Sequence, residues 1–206
     1  MPFIGVGTTK TPANASVDTA QVVDEAITAG KIDPAVSTAG SMTLTHTFTI
    51  TSGATVDLDG IFSADYDAYH LVFIDVLPVT DATYSAFRFG TGGTPDSSAF
   101  YNYSALRAAT HNSILLGSQF TTAYTDTAGN VAGEGISFTM DVFDPFSSSI
   151  ETKMIATGYY VTSAGALLSF RNAGKFAGTT SFTDISYYYV SGNTASGTVR
   201  VYGVAT

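Results

Sequence analysis

The chain lacks cysteine, long apolar runs and a normal share of charge. Each of these absences excludes a kind of structure or site. Without cysteine, neither a disulfide framework nor a thiolate metal site can form. Only 12% of the residues are charged, about half the usual share, so the surface must be built largely from Thr, Ser, Asn, Gly and Ala. Nowhere do about eighteen apolar residues follow one another, so we expect no membrane insertion.

Basic residues are especially scarce. The chain has 8 Lys and Arg against 17 Asp and Glu, which gives a formal net charge of −9. Phosphate binding depends on clustered Lys and Arg, so we expect no nucleic-acid partner. An acidic surface rich in uncharged polar groups favours solubility and self-association. The first ten residues lack a basic segment followed by an apolar one, so they predict no signal peptide.

The residue types that carry catalysis or bind metals do not form a recognisable constellation. A zinc site needs three or four converging ligands, and the three histidines have no partner at a ligand spacing; they are His46, His70 and His111. Asp57 and Asp59 could share one face of a strand and bind Ca²⁺ with backbone carbonyls. No glutamate follows to close a twelve-residue calcium loop. We therefore predict no catalytic residue and no cofactor, and leave calcium near Asp57 and Asp59 open.

Residues 1 to 41 differ in composition from the rest of the chain. The first sixteen are rich in Gly, Thr, Pro and Ala, with a short apolar group at Phe3, Ile4 and Val6. Such a segment cannot form a core alone. It is either a disordered terminus or an anchor peptide that becomes ordered when Phe3 and Ile4 dock on another chain.

A short helix is predicted over residues 18 to 30. Asp18 is a suitable N-cap with Gln21 three residues later, and Gly30 is a natural stop. One face of this helix is apolar, and its residues are Val22, Val23, Ala26 and Ile27. A helix of about three turns is marginal alone, so this face needs a partner. The partner is either the same helix in sister subunits or the chain's own domain, and a linker containing Pro34 follows.

Residues 42 to 206 read as a mainly β domain, because the period of the pattern changes to two and no helical pattern interrupts it. Short strands bounded by Gly-, Asn- and Ser-rich turns predict an antiparallel β-sandwich, jelly-roll-like. The predicted strands cover residues 43–50, 69–76, 83–89, 99–106, 113–120, 135–142, 150–161, 166–170, 181–190 and 197–204.

Tyrosines at loops and strand edges are candidate ligand or interface residues, because tyrosine presents an apolar face with a polar tip. The five candidates are Tyr101, Tyr103, Tyr187, Tyr188 and Tyr189. By alternation, Tyr188 must face opposite to Tyr187 and Tyr189. One of these two sides is core or a subunit contact, and the other is open to solvent or a ligand. Most of the chain's tyrosines are expected to be simple core residues.

Several segments resemble the virion proteins of tailed bacteriophages, particularly tail fibres and related appendages. Residues 62 to 73 are similar to an F-S-x-x-Y-D-x-Y-x-I-V-I stretch in those proteins, and residues 87 to 96 to an L-R-F-G-T-G-G-T-P-D segment. The C-terminal residues 197 to 204 resemble an x-I-R-V-Y-G-V ending. At the other end, residues 2 to 5 and 27 to 32 are similar to fibre N-termini and their connectors.

The resemblance implies a homotrimeric, non-enzymatic appendage: residues 1 to 41 attach it to the virion, the short helix forms a neck, and residues 42 to 206 form the head. Expected partners are the chain itself, other tail or capsid proteins, and a host-surface glycan. The protein would assemble in the host cytoplasm and lie on the particle exterior. The alternatives are a capsid decoration or cement protein that stabilises the shell and, from another class, a polysaccharide depolymerase.

Overall fold

The computed structural model describes residues 42 to 107, 113 to 120 and 123 to 204. All of the described residues belong to one compact unit of the chain, Thr38–Thr206. The anchor with Phe3, Ile4 and Val6, the helix over residues 18 to 30 and the Pro34 linker all lie outside the described residues.

Every secondary-structure element of the described residues is a β-strand, and every strand pair is antiparallel. The strands are β1 (Met42–Ile50), β2 (Val56–Leu58), β3 (Ala68–Pro78), β4 (Thr83–Thr91), β5 (Thr94–Pro95), β6 (Tyr101–Arg107), β7 (Ser113–Phe120), β8 (Ala123–Ala128), β9 (Gly135–Phe143), β10 (Lys153–Val161), β11 (Leu167–Phe176), β12 (Asp184–Tyr189) and β13 (Thr194–Val204).

The strands form two sheets. A large sheet of eight strands has the order β1-β13-β3-β9-β10-β11-β6-β7. A small sheet has the order β2-β12-β4-β5, and β8 also pairs with β4. Strands β9, β10 and β11 are consecutive in the chain and adjacent in the large sheet. β9 and β10 pair antiparallel along their whole length.

The core lies between the two sheets and is largely aromatic. Phe73 of β3 stacks on Phe138 of β9 with ring centroids 4.2 Å apart, and Tyr187 of the small sheet lies 5.3 Å from Phe73. At another point Phe176 of β11 contacts Phe182, which precedes β12, at 4.8 Å. Alternate residues of the strands supply these rings, as the period of two predicts. The opposite side of the large sheet is left facing outward.

Two irregularities set which side chains reach that outward side. A bulge between Leu44 and His46 interrupts the pairing of β1 with β13, and the Thr45 hydroxyl donates to the Val201 carbonyl across it at 3.1 Å. A bulge shifts the alternation by one residue, so Leu44 faces outward while Ile50 is buried. A second shift between β3 and β9 includes Asp75, whose φ is 48°.

Candidate functional site: the outer face of the large sheet

One side of the eight-stranded sheet faces away from the core. We call it the outer face. Cross-strand register places its side chains in rows, one of which contains Phe143, Lys153, Lys175 and Asn102 on four neighbouring strands. The next row contains His70, Asp141, Ile155, Ala173 and Ser104. Strands this regular hold the rows in fixed positions.

Exposed hydrophobic side chains are spread over the outer face. Of thirteen large hydrophobic side chains that are exposed in the described residues, six lie on it: Met42, Leu44, Leu106, Phe143, Tyr159 and Leu167. Their exposed fractions range from 38% for Phe143 to 66% for Leu167. Half-buried aliphatic residues, including Val72 and Ile155, fill the space between them. Between them the register also places polar side chains, with Arg200, Thr139, Thr157 and Arg171 in one row. Exposed apolar groups rimmed by polar ones are typical of interaction sites.

Positive charge is concentrated on the same face. It carries four of the five Lys and Arg side chains that the structure describes, namely Lys153, Arg171, Lys175 and Arg200. The face and its rim carry three of the twelve described Asp and Glu side chains, namely Asp75, Asp141 and Glu151. Glu151 at the rim accepts a hydrogen bond from the Lys175 ammonium at 2.8 Å. The outer face is thus slightly positive in a chain whose net charge is −9.

Two shallow grooves cross the outer face. The larger has a volume of about 600 Å³, with Ile155 and Ala173 on its floor and Phe143, Lys153 and Lys175 around it. Alanine at position 173 is small, and this leaves space between the larger neighbours. The second groove, about 430 Å³, lies between Val72 and Tyr159. The apolar floor of the larger groove, with Lys153 and Lys175 beside it, suits an acidic partner that also has apolar surface, whereas Asp75, Ser137, Thr139 and Thr157 line the smaller groove.

His70 and Asp141 form a polar pair on the outer face. The His70 Nδ1 lies 2.6 Å from the Asp141 Oδ1, and the two residues are direct cross-strand partners. The Tyr202 ring lies beside the imidazole, with centroids 6.3 Å apart. His46 instead faces inward, and its ring stacks on Phe48. His46 and His70 thus lie in strands β1 and β3; His111 lies outside the described residues.

The fold buries some of the five tyrosines that were proposed as ligand or interface residues and leaves others at the surface. Tyr101, Tyr187 and Tyr189 are 1% to 3% exposed and belong to the core, so their prediction as ligand-contacting residues is corrected. Burial raises the pKa of all three hydroxyls above the usual value. Tyr188 faces outward on the small sheet, with the Arg88 guanidinium 5.3 Å from its ring centroid. The predicted alternation is confirmed, and Tyr103 is half-buried at the edge of the larger groove.

The carboxylates near Asp57 hold turns together. Asp184, which is 3% exposed, accepts hydrogen bonds from the Gly60 and Gly93 amides at 2.8 and 2.6 Å. Asp57 accepts from the Ser186 hydroxyl at 2.7 Å. The pKa of the Asp59 carboxyl is raised, first by partial burial and then by the nearby negative charges of Asp184 and Asp57. Among the described residues no group of three or more His, Asp or Glu is arranged to hold a metal ion.

The segments that carry the bacteriophage resemblance build the domain. The Tyr69 hydroxyl accepts from the Ser63 amide at 2.7 Å and donates to its carbonyl at 3.2 Å. This closes the turn that leads from Phe62, which is 2% exposed, into β3. The Tyr66 ring lies on the face of Gly203, where an added Cβ would meet it at 2.5 Å. The contact of Tyr66 with Gly203 connects the 62–73 segment to the C-terminal segment.

The glycine-rich part of the 87–96 segment is a tight hairpin between β4 and β5. Thr91 pairs with Thr94, and Gly92 and Gly93 between them have φ of 58° and 77°. Two successive positive φ angles are typical of a two-residue hairpin turn, which favours glycine at both positions.

No model of a protein family matches the chain, and no curated protein or solved structure matches it. The structure defines the class: an all-β domain with two antiparallel sheets. In the described part of the chain, no helix has the length and apolar character needed to cross a membrane.

The outer face was not predicted from the sequence. Its residues come from seven strands that are distant in the chain, and only their pairing brings them together. One local signal existed: Leu167 and Leu168 are consecutive apolar residues in a strand, so one of them had to face away from the core.

Proposed function

We propose that the chain is a non-enzymatic structural protein of a tailed-bacteriophage virion: a trimeric, fibre-like appendage attached by its N-terminal segment, with residues 42 to 206 as an outward β-sandwich head of jelly-roll type. The observation that carries the proposal is the outer face. A free monomer would leave an eight-stranded sheet with six exposed large hydrophobic side chains in water, whereas an assembled particle protein buries such a surface.

The resemblance of residues 62 to 73, 87 to 96 and 197 to 204 to phage appendage proteins supplies the class of particle. In this chain Tyr69 on Ser63 closes a turn of the first segment and Tyr66 on Gly203 connects it to the last, while residues 87 to 96 form the β4–β5 hairpin. A role in building the domain accounts for their sequence without a ligand. This supports a shared architecture more strongly than a shared binding specificity.

Recognition of a host-surface glycan by the head is part of the proposal. Among the candidate tyrosines, Tyr188 is the one on the outward side of the small sheet, and the Arg88 guanidinium holds its ring in position. An aromatic ring with a cation beside it can stack on a sugar and hydrogen-bond its hydroxyls. A Tyr188→Ala variant is therefore expected to lose binding to host cells while still entering the particle.

The attachment role is tested by complementing a phage that lacks this gene. The full chain and a chain without residues 1 to 16 are supplied in trans, and incorporation into purified particles is measured. We expect the truncated chain to be folded and soluble but missing from particles, because Phe3 and Ile4 would no longer dock. A Phe3→Ser, Ile4→Ser double variant should behave like the truncation, and a Thr8→Ser variant like the full chain. Normal incorporation of the truncated chain would refute the attachment role.

A further inference from the structure

We propose that the outer face of the large sheet is the surface on which a second copy of this chain packs, through a head-to-tail contact that closes into a ring. The inference rests on the trimeric assembly of the proposed function and adds to it the surface that makes the contact. Three properties of the outer face support it, namely its size, its chemistry and its charge.

The size of the outer face matches a stable protein interface. Eight strands spaced about 4.8 Å apart span about 34 Å, and strands of nine to eleven residues are about 30 Å long. The resulting sheet area is about 1,000 Å², whereas a standard interface buries about 800 Å² on each partner. One copy of the chain can therefore cover most of the face.

The chemistry of the grooves favours a protein over a glycan. Ile155 and Ala173 on the floor of the larger groove and Val72 beside the smaller one are aliphatic, so they offer no hydrogen bonds to sugar hydroxyls. Phe143 and Tyr159 stand above the floor with 38% and 47% of their surface exposed. Aromatic side chains around an apolar centre are typical of protein interfaces. Polar side chains line the grooves as well, with Asn102, Ser104 and two lysines in the larger and Asp75, Ser137, Thr139 and Thr157 in the smaller, so the test below also measures glycan binding.

The charge distribution selects both the partner and the geometry. The outer face holds four of the five described Lys and Arg side chains, while nine of the twelve described Asp and Glu side chains lie elsewhere on the domain. Two outer faces packed against each other would place Arg171 and Arg200 of both copies in one interface. The face instead complements the acidic remainder of a neighbouring copy. A contact between different surfaces of identical chains closes into a ring when its rotation permits.

The experiment measures the mass of the full-length chain in solution by light scattering and native mass spectrometry. Three variants change the outer face: Ile155→Glu at its centre, and Lys153→Glu and Arg171→Glu at exposed positions that tolerate charge. Val190→Glu is the control for a carboxylate added off the outer face, because Val190 is 46% exposed and lies outside the large sheet, on the acidic part of the domain, where a further negative charge should not weaken a contact with the positive outer face. Circular dichroism and thermal unfolding confirm that each variant is folded.

The expected result is a wild-type mass of about three times 21.4 kDa, with an unchanged mass for Val190→Glu. The face variants should remain folded and show at least about a hundredfold weaker association, as for the central residues of an interface. If Ile155→Glu does not fold, the two surface variants decide the outcome.

Two other results would overturn the inference in distinguishable ways. If the wild type is trimeric and all folded face variants remain trimeric, the outer face is not the contact and the proposed trimer is held elsewhere. Loss of glycan binding in those trimeric variants would instead assign the face to a sugar. If the wild type stays monomeric at high concentration, both the inference and the trimeric assembly are wrong.

Discussion

Replacing Tyr69 with phenylalanine tests how the turn before β3 is held. The Tyr69 side chain is 1% exposed, and its hydroxyl bonds both backbone groups of Ser63, at 2.7 Å to the amide and 3.2 Å to the carbonyl. The variant keeps the ring and removes one oxygen. Any loss of stability then reports the two hydrogen bonds rather than the packing of the ring.

The expected loss follows from the groups left without a partner. A buried backbone group that loses its hydrogen bond costs about 1–3 kcal/mol. Ser63 is only half-buried, so water can partly replace the hydroxyl and we expect a loss of about 1–2 kcal/mol. For a domain of this size each kcal/mol lowers Tm by about 2–4 °C. The predicted decrease in Tm is therefore about 2–8 °C.

Urea denaturation and thermal unfolding measure the change, with Ser63→Ala as the control. The Ser63 hydroxyl bonds only Asp65 and Tyr69 at the surface end of the turn, so its removal should cost less than about 0.5 kcal/mol. An unchanged denaturant slope would confirm that both variants unfold from the same native state. If Tyr69→Phe loses no more stability than Ser63→Ala, the hydroxyl does not hold the turn.

Three further predictions concern charge, ionisation and packing. The pKa of Asp59 is raised in the folded chain, so the ionised carboxylate destabilises the fold above that pKa and has no effect below about pH 3, where it is protonated. Asp59→Asn should therefore raise Tm at pH 7 and leave it unchanged at about pH 3. An equal change in Tm at the two pH values would contradict this. The hydroxyls of Tyr101, Tyr187 and Tyr189 have pKa values raised by burial above the ordinary 10.0. As pH rises, the unfolded chain therefore loses these protons before the folded chain does, and the free energy of unfolding should fall above about pH 10. Tyrosinate absorbance should rise together with the loss of circular dichroism. Full ionisation of these tyrosines in a chain that is still folded would contradict their burial. Gly158→Ala should cost about 3 kcal/mol or more in urea denaturation, because the new Cβ would overlap the backbone of β9, and a variant of normal stability would contradict that packing.

Strong alternation in the sequence was sufficient to predict most strands. The stretch 113–120 coincides with β7, and 43–50 and 135–142 each differ from β1 and β9 by one residue. The prediction of an all-β, antiparallel domain is confirmed. The segments 43–50 and 135–142 are rich in β-branched and aromatic residues, so their local preference agrees with their final pairing.

Three short strands and one long one could not be predicted from local pattern. β2, β5 and β8 have between two and six residues and exist because they pair with β12 or β4. β11 continues to Phe176, well past the predicted end at residue 170. Its Arg, Asn and Gly residues suggest a turn, but pairing on both sides with β10 and β6 keeps the segment extended.

The candidate site depends on pairing in the same way. Alternation correctly placed Tyr188 opposite to Tyr187 and Tyr189, yet it could not tell which side was core. That choice is made by Phe73 and Phe138 of the other sheet, which pack on Tyr187. The orientation of Leu44 depends on a bulge that only the partner strand reveals. Long-range contacts therefore decide which surface the domain presents.

The central claim is that this chain is a structural component of a phage particle, and quantitative mass spectrometry of purified virions tests it most directly. The particles are those that encode the chain, and its copy number is measured relative to the major capsid protein. We expect the chain to be present, in tens of copies and in a multiple of three. Hundreds of copies would indicate shell decoration rather than a fibre-like appendage, and absence from particles of full infectivity would contradict the claim itself.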